Sequence, residues 1–403
     1  MRGEKILELL KVTKRLLGDR PWGVGLLGFL PQELWEEQIL AVLEMPPPFA
    51  LIAGGQPHQV ARLESRGIPT YIHVPSPALP ESTTNDSSPS TGPVLTEHRL
   101  RELDKSVRQR VFPPADFGVN GRKNKPAVFI LSPPRSGSTL LRVMLAGNTA
   151  LFPPPELNLL GFKTFGDFKN YASHYHFPSS GIERAIMELC AVELQEAKDI
   201  LDDFAKRNIS VQECYAFIQD RLGDRLLVDK SPAYSASLPV LRRAEVLFDS
   251  PYYIHLMRHP YGMIRSFVEV KTKQLFDLPF SGRELAEYLW LRGHQNILAL
   301  LKNVPARRQF HVKFEDLVSS PRNTMEDLCR FLSIPFAEGM LRPYEGEKMT
   351  DGRFEEEMMV GDPRFFSHQT IDPRVAERSR ERLDRPICDL AKEIAMSLGY
   401  SDL

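Results

Sequence analysis

The side chains in this sequence best suited to chemistry on an anion are two arginines, a glycine and a short run of hydroxyl residues. In KPAVFILSPPRSGSTLLRVMLAGN (125–148) an apolar strand runs into PPRSGST and straight on to a helical LLRVML. A strand, a tight loop with one required glycine, and a helix start carrying Ser and Thr gather backbone N–H groups and hydroxyls around an anion. Arg135 adds a fixed charge and a planar fork matched to phosphate oxygens. The G-x-x-x-x-G-K-[ST] pattern of nucleoside triphosphate loops is not met, because the first glycine is absent and the cation precedes Gly137. A P-loop nucleotide kinase or ATPase is therefore only the alternative reading.

A second cation stands in YYIHLMRHPYGMIRSFVE (252–269), where Arg258 ends an apolar strand and Ser266 follows eight residues later on the next helix. Between the two segments lie FPPPELNLLGF (152–162) and LLVDKSPAYS (226–235). Glu156 follows three prolines that limit its backbone freedom, which suits a carboxylate fixed at a pocket wall and able to take a proton from a hydroxyl. Lys230 is read in two ways: it neutralises charge on a transferring group, or it pairs structurally with its neighbour Asp229. His255, inside an apolar strand, reads as a core histidine, and His259 as a residue supporting Arg258. His294, on a helix in YLWLRGHQNIL, is the alternative base.

PRSGSTLLR resembles the 5′-phosphosulfate loop of sulfotransferases that use 3′-phosphoadenosine 5′-phosphosulfate (PAPS), in the Arg-first form of the tyrosylprotein and bacterial enzymes. The resemblance assigns Arg135, Ser136, Gly137, Ser138, Thr139 and Leu140 to that loop. It assigns Arg258 and Ser266 to the 3′-phosphate, since the family's second motif has the same order, and it makes Glu156 the general base, with Arg135 and Lys230 beside it. It implies PAPS as co-substrate, PAP as product and no metal. FHVKFEDL (310–317) resembles a family segment in which Tyr usually precedes Glu-Asp-Leu; Phe314 stands there, so a tyrosine hydrogen bond to the nucleotide is lost. VGDPRFFSHQTIDPRVAERSRERL (360–383) resembles the C-terminal region of cyanobacterial-type and polyketide-synthase sulfotransferases, whose loop is expected to close over the nucleotide. The acceptor implied is a hydroxyl, on a small molecule or on an acyl chain carried by an acyl carrier protein, with association to a modular synthase.

The elements that must position these groups follow from composition and periodicity. With 403 residues, 42% hydrophobic and 26% charged, the chain has the composition of a folded protein of two or three domains. Its 51 Lys+Arg against 52 Asp+Glu give no global field for nucleic acid, so any phosphate site is local. Cys190, Cys214, Cys329 and Cys388 are scattered, which argues against a disulfide framework or zinc site and fits a reducing cytoplasm. No membrane span or signal peptide is expected. From 125 to 403 the strands 127–132, 225–231, 252–257 and 309–314 are each followed by a turn and a helical stretch, giving a P-loop-type parallel central sheet flanked by helices, an α/β fold.

Residues 1–80 read separately as a helix and then strands 23–29, 49–55 and 70–74 alternating with helices 31–45 and 56–67, the second closed by Gly67. GVGLLGFLP with PPFALIAGGQPHQVARLESRGIPTYIHVPSP resembles the middle of nitronate monooxygenase, a flavin-dependent TIM-barrel enzyme. A full barrel needs about 250 residues in eight βα units. The fragment is therefore expected to be an incomplete, partial βα-barrel-like remnant without flavin chemistry. Residues 81–124 are read as a linker, Pro/Ser-rich over 75–93, and an exposed lead-in helix over 94–112. A third reading treats the whole chain as a catalytically degenerate docking module of a multidomain synthase.

Overall fold

The computed structural model describes residues 3–18, 22–27, 32–53, 57–73, 92–111, 121–175, 180–270, 278–345, 365 and 369–403. Two compact units divide the chain, Met1–Ser88 and Pro89–Leu403. The linker expected over 75–93 lies outside the described residues except for 92 and 93, as does most of the loop from 360 to 369.

The first unit runs α1 (Gly3–Leu17), β1 (Gly23–Leu27), α2 (Gln32–Glu44), β2 (Phe49–Ala53), α3 (Pro57–Glu64) and β3 (Thr70–His73). Its strands are parallel in the order β1-β2-β3. Helical spacing brings Trp35, Ile39 and Val42 into a core shared with Leu26, Ala50 and Ile52. The alternate residues Phe49, Leu51 and Tyr71 are exposed. Gly67 closes the turn after α3 at φ 75°, a conformation that glycine adopts without a Cβ penalty.

The second unit begins with α4 (Glu97–Val111), β4 (Val128–Leu131), α5 (Ser138–Ala146) and the two-residue β5 (Leu151–Phe152). Helices α6 (Phe165–Tyr175), α7 (Ser180–Cys190), α8 (Leu194–Lys206) and α9 (Val211–Asp220) precede β6 (Leu226–Lys230). Then come α10 (Leu238–Leu247), β7 (Tyr252–Met257), α11 (Pro260–Glu269), α12 (Gly282–Leu301) and β8 (Gln309–Lys313). The unit ends with α13 (Phe314–Ser319), α14 (Pro321–Leu332), α15 (Arg374–Arg380) and α16 (Asp389–Ser397).

All five strands of the second unit are parallel, in the order β5-β6-β4-β7-β8. The chain leaves β4 for one edge, returns to β6 at its side, and crosses to β7 on the other. The loop after β4 thus opens at a topological switch point, where parallel sheets hold ligands. Alternation splits the core: Phe129 and Leu131 pack with the helices on one face, while Val128 and Ile130 meet Leu141, Val143 and Leu328 on the other. Both faces are buried, as parallel sheets require.

The expected exposed lead-in helix is instead packed. Leu95, Leu103 and Val107 are buried with Ile264, Trp290 and Ile387. Arg99 Nε donates to Glu284 Oε1 at 2.6 Å, and Arg292 Nε to Asp104 Oδ1 at 2.9 Å. The charged pattern of α4 finds its partners on α12, more than 180 residues away, a pairing that local periodicity cannot report.

Candidate active site

The β4–α5 loop turns sharply because two of its residues are left-handed, Arg135 at φ 62° and Gly137 at φ 89°. At Gly137 glycine is required twice over: a Cβ there would also lie 2.2 Å from Phe314 Cδ2. Gly137 is the N-cap of α5 and supplies no side-chain cap, so the first-turn N–H groups have no capping side chain. The Oγ atoms of Ser132 and Ser136, both buried, have no hydrogen-bond partner. Uncapped amides and orphaned hydroxyls at the end of a buried strand are what an anion would satisfy. Ser138 is buried and Thr139 partly so, while the side chain of Leu140 belongs to the core, which leaves that residue only its backbone for a ligand.

Arg258 and Ser266 meet this loop. Arg258 Nη1 donates to the Arg135 carbonyl at 2.9 Å, and Arg135 Nε approaches Ser266 Oγ at 3.4 Å. The Arg258 guanidinium lies 4.5 Å over the Phe314 ring, the same ring that touches Gly137. Phe314 is therefore a packing platform between the two motifs. Trp290 Nε1 donates to the Arg258 carbonyl at 2.9 Å and anchors the strand end. His259 is buried beside it: its N–H donates to Glu315 Oε1, and its Nδ1 accepts from the Tyr261 N–H as the N-cap of α11.

Lys230 closes β6 with 1% of its side chain exposed, and Nζ donates to Glu156 Oε1 at 2.6 Å. Burial pushes its pKa down from the ordinary lysine value, and the Glu156 carboxylate acts against that shift. The short ion pair of Lys230 goes to Glu156, while Asp229 acts on it only through space. Neighbouring strand residues point to opposite faces, and Asp229 accepts from Tyr215 at 2.6 Å, Ser231 at 2.7 Å and Tyr234 at 3.1 Å. Burial raises the Asp229 pKa while these hydroxyls pull it down. The Glu156 backbone is held by α7, where Gly181 approaches so closely that a Cβ would lie 2.0 Å from the Glu156 carbonyl oxygen.

His255 sits in the core as expected, with Nε2 3.0 Å from His294 Nδ1. His294 is fully buried, and desolvation drives its pKa down to about 3. Its Nε2 has no partner, and the adjacent Gly293 packs against Pro133 of the anion loop. The site thus joins Arg135, Gly137, Arg258, Ser266 and Phe314 in one cluster and Lys230 with Glu156 in another, carried by the C-terminal ends of β4, β6 and β7. Buried Arg142, on α5, joins the second cluster, donating to the Pro153 carbonyl at 3.3 Å and opposing the charge of Lys230. Sequence reasoning missed Arg142 because its LLRVML setting reads as plain helix. It also missed Ser379, whose Oγ accepts from Arg258 Nε at 3.3 Å across 121 residues. Among the described residues no group of His, Cys, Asp and Glu is arranged to hold a metal, and no helix is long and apolar enough to cross a membrane.

A parallel α/β domain that brings two arginines and a helix N-terminus together at a switch point has the layout of an anion-binding site. The model of a family described as "Sulfotransferase family" matches residues 126–338, more than half of the chain, and the chain belongs to that family. It is similar to the sulfotransferase domain from the curacin biosynthetic pathway, at 37% identity over 70% of this chain and 99% of that one, with a TM-score of 0.65. It is equally similar to the sulfotransferase domain of the Synechococcus PCC 7002 olefin synthase, at 38% identity over 72% and 98%, with a TM-score of 0.63. No curated protein sequence matches.

Proposed function

We propose that this sulfotransferase moves the sulfuryl group of PAPS to a hydroxyl, leaving PAP, and that the acceptor is a hydroxyacyl chain on an acyl carrier protein. The observation that carries the donor reading is the meeting of Arg135, Ser266 and Arg258 within hydrogen-bond reach of one another, in a cradle with orphaned Ser132 and Ser136 hydroxyls. The acceptor reading rests on the relatives, which are sulfotransferase domains of a curacin pathway and of an olefin synthase.

When bound, PAPS supplies a sulfuryl group activated by a phosphate leaving group. Arg135, Ser136, the amides of Gly137 to Leu140 and the Ser138 and Thr139 hydroxyls hold the 5′-phosphate and stabilise the charge that grows on it. Arg258 and Ser266 hold the 3′-phosphate. Lys230 engages Glu156 Oε1, so Oε2 is left to accept the proton of the acceptor hydroxyl. The ammonium of Lys230, buried beside Glu156, serves in this reading to balance the negative charge of the transferring group. A second reading makes His294 the base; what favours it is the unpartnered Nε2 next to a residue that packs on Pro133.

We further propose that 125–403 is the catalytic domain, joined by 81–124 to a nitronate monooxygenase-like remnant over 1–80, and that the protein works in the cytoplasm. The sequential parallel order of three strands in the first unit supports the remnant.

The test is sulfate transfer from labelled PAPS to a 3-hydroxyacyl carrier protein, read by mass spectrometry. Wild-type chain is expected to add one sulfate; Glu156→Gln is expected to lose at least about a hundredfold in kcat, and His294→Gln much less. The reverse ranking transfers the base to His294. PAP affinity in the wild type with no sulfated product on the carrier substrate would overturn the acceptor.

A further inference from the structure

The grip on the second arginine comes partly from a residue outside both anion motifs. Ser379, near the end of α15, is 1% exposed, and its Oγ accepts from Arg258 Nε at 3.3 Å. Arg258 is thereby fixed from three sides: Ser379 at Nε, the Arg135 carbonyl at Nη1, and the Phe314 ring under its plane. An arginine side chain carries much rotamer freedom, and binding a ligand with a guanidinium already oriented spares the entropy of ordering it.

The approach of Ser379 is built into the fold. Gly262, on the first turn of α11 and only four residues after Arg258, packs directly on it: a Cβ at Gly262 would lie 2.6 Å from Ser379 Oγ and 2.8 Å from its Cα. Any larger residue at 262 pushes the serine backbone away. Arg265, one helical turn further, donates to the carbonyls of Arg378 at 2.5 Å and Glu381 at 2.7 Å and so ties the end of α15 to α11. The glycine, the arginine and the serine make a clasp that reaches the anion site through the Arg258 guanidinium and through α11, which also carries Ser266.

We propose that Ser379 is a positioning residue that, through Arg258, sets selectivity for a 3′-phosphorylated nucleotide over its unphosphorylated counterpart. This rests on the reading that Arg258 holds the 3′-phosphate. A residue that acts through this arginine must weaken PAP binding more than AMP binding, whereas a residue needed only for folding weakens both alike.

The experiment measures Kd for PAP and for AMP by titration calorimetry on the full chain, together with the melting temperature. Ser379→Ala is expected to raise the PAP Kd about five- to tenfold, the size of one ordinary hydrogen bond because the serine acts on the ligand only indirectly, and to change the AMP Kd less than about twofold. Gly262→Ala is expected to reproduce the selective loss by displacing the same serine. Arg258→Ala serves as the reference and is expected to abolish most of the preference for PAP. If Arg258→Ala removes the preference and Ser379→Ala does not, the proposal fails while the 3′-phosphate reading stands. If Arg258→Ala leaves the preference intact, the 3′-phosphate reading fails and takes the proposal with it. Equal weakening of PAP and AMP in both Ser379→Ala and Gly262→Ala, or a melting temperature too low to hold either nucleotide, makes the serine structural and overturns the proposal.

Discussion

The two parallel sheets of this chain are built from similar runs of strand and helix, yet among the described residues only one of them holds charge out of water. In the first unit one sheet face is packed, through Ala50 and Ile52, while the other shows Phe49, Leu51 and Tyr71 to solvent. In the second unit both faces are covered, and the strand ends carry Asp229 and Lys230 at 1% exposure and His255 at none. A site from which water is excluded strengthens every electrostatic interaction within it. The comparison teaches that the second covered face is what turns strand residues from surface polar groups into buried ones.

The largest expected effect comes from removing the buried cation of the second sheet. Lys230→Met keeps most of the volume and leaves Glu156 without its 2.6 Å partner. Turnover is expected to fall by about 10²- to 10³-fold with PAP affinity little changed, a size typical of losing one preorganised group at developing charge. Single-turnover kinetics beside PAP titration checks this, and near wild-type turnover would reduce Lys230 to a structural cation.

An intermediate effect should appear in acid. His294 has its folded pKa lowered to about 3 from 6.5, and His255 is lowered well below that ordinary value by burial and by the neighbouring His294 and His311. A base with a depressed folded pKa contributes stability that is whole above 6.5 and is lost as pH falls towards 3, because only the unfolded chain takes up the proton. The raised carboxyls of Asp229 and Glu287 act with the opposite sign, so the informative quantity is the difference between wild type and variant. His294→Gln should flatten the fall in unfolding free energy between pH 6 and pH 4 by up to about 1.4 kcal/mol per pH unit. Equal slopes in denaturant titrations of the two proteins would show that this histidine does not carry the acid lability.

The smallest effect on catalysis is expected from the first sheet. Ile52 is completely buried there, and Ile52→Ala should destabilise that unit by about 2–5 kcal/mol while sulfate transfer stays within about twofold of wild type. Calorimetry of the variant together with its turnover tests the separation; a large loss of turnover would mean that the first unit takes part in the reaction.

Much of the fold was legible in the sequence. The four main strands of the second unit fall within a residue or so of the expected 127–132, 225–231, 252–257 and 309–314, because buried parallel strands are short apolar runs with turn residues at both ends. The two-residue β5 gave no such run. Gly137 announced its own necessity through its place in PPRSGST, and Arg135, Arg258 and Ser266, singled out as one group in the sequence, do meet in the fold. Lys230 was legible as a strand-end cation, but its partner was not: Glu156 and Asp229 were both available, and only the pleat of β6 chooses between them.

The sequence by itself determined the residue types and the local turn of the β4–α5 loop, because glycine at positive φ, hydroxyls at a helix start and a strand of apolar residues are properties of neighbouring positions. Tertiary structure alone decided the pairings that cross the chain: Lys230 with Glu156, His255 with His294, α4 against α12, and Ser379 under Arg258. Each joins residues 39 to 188 positions apart, and such contacts are set by which faces the sheet buries, a property of the packed whole.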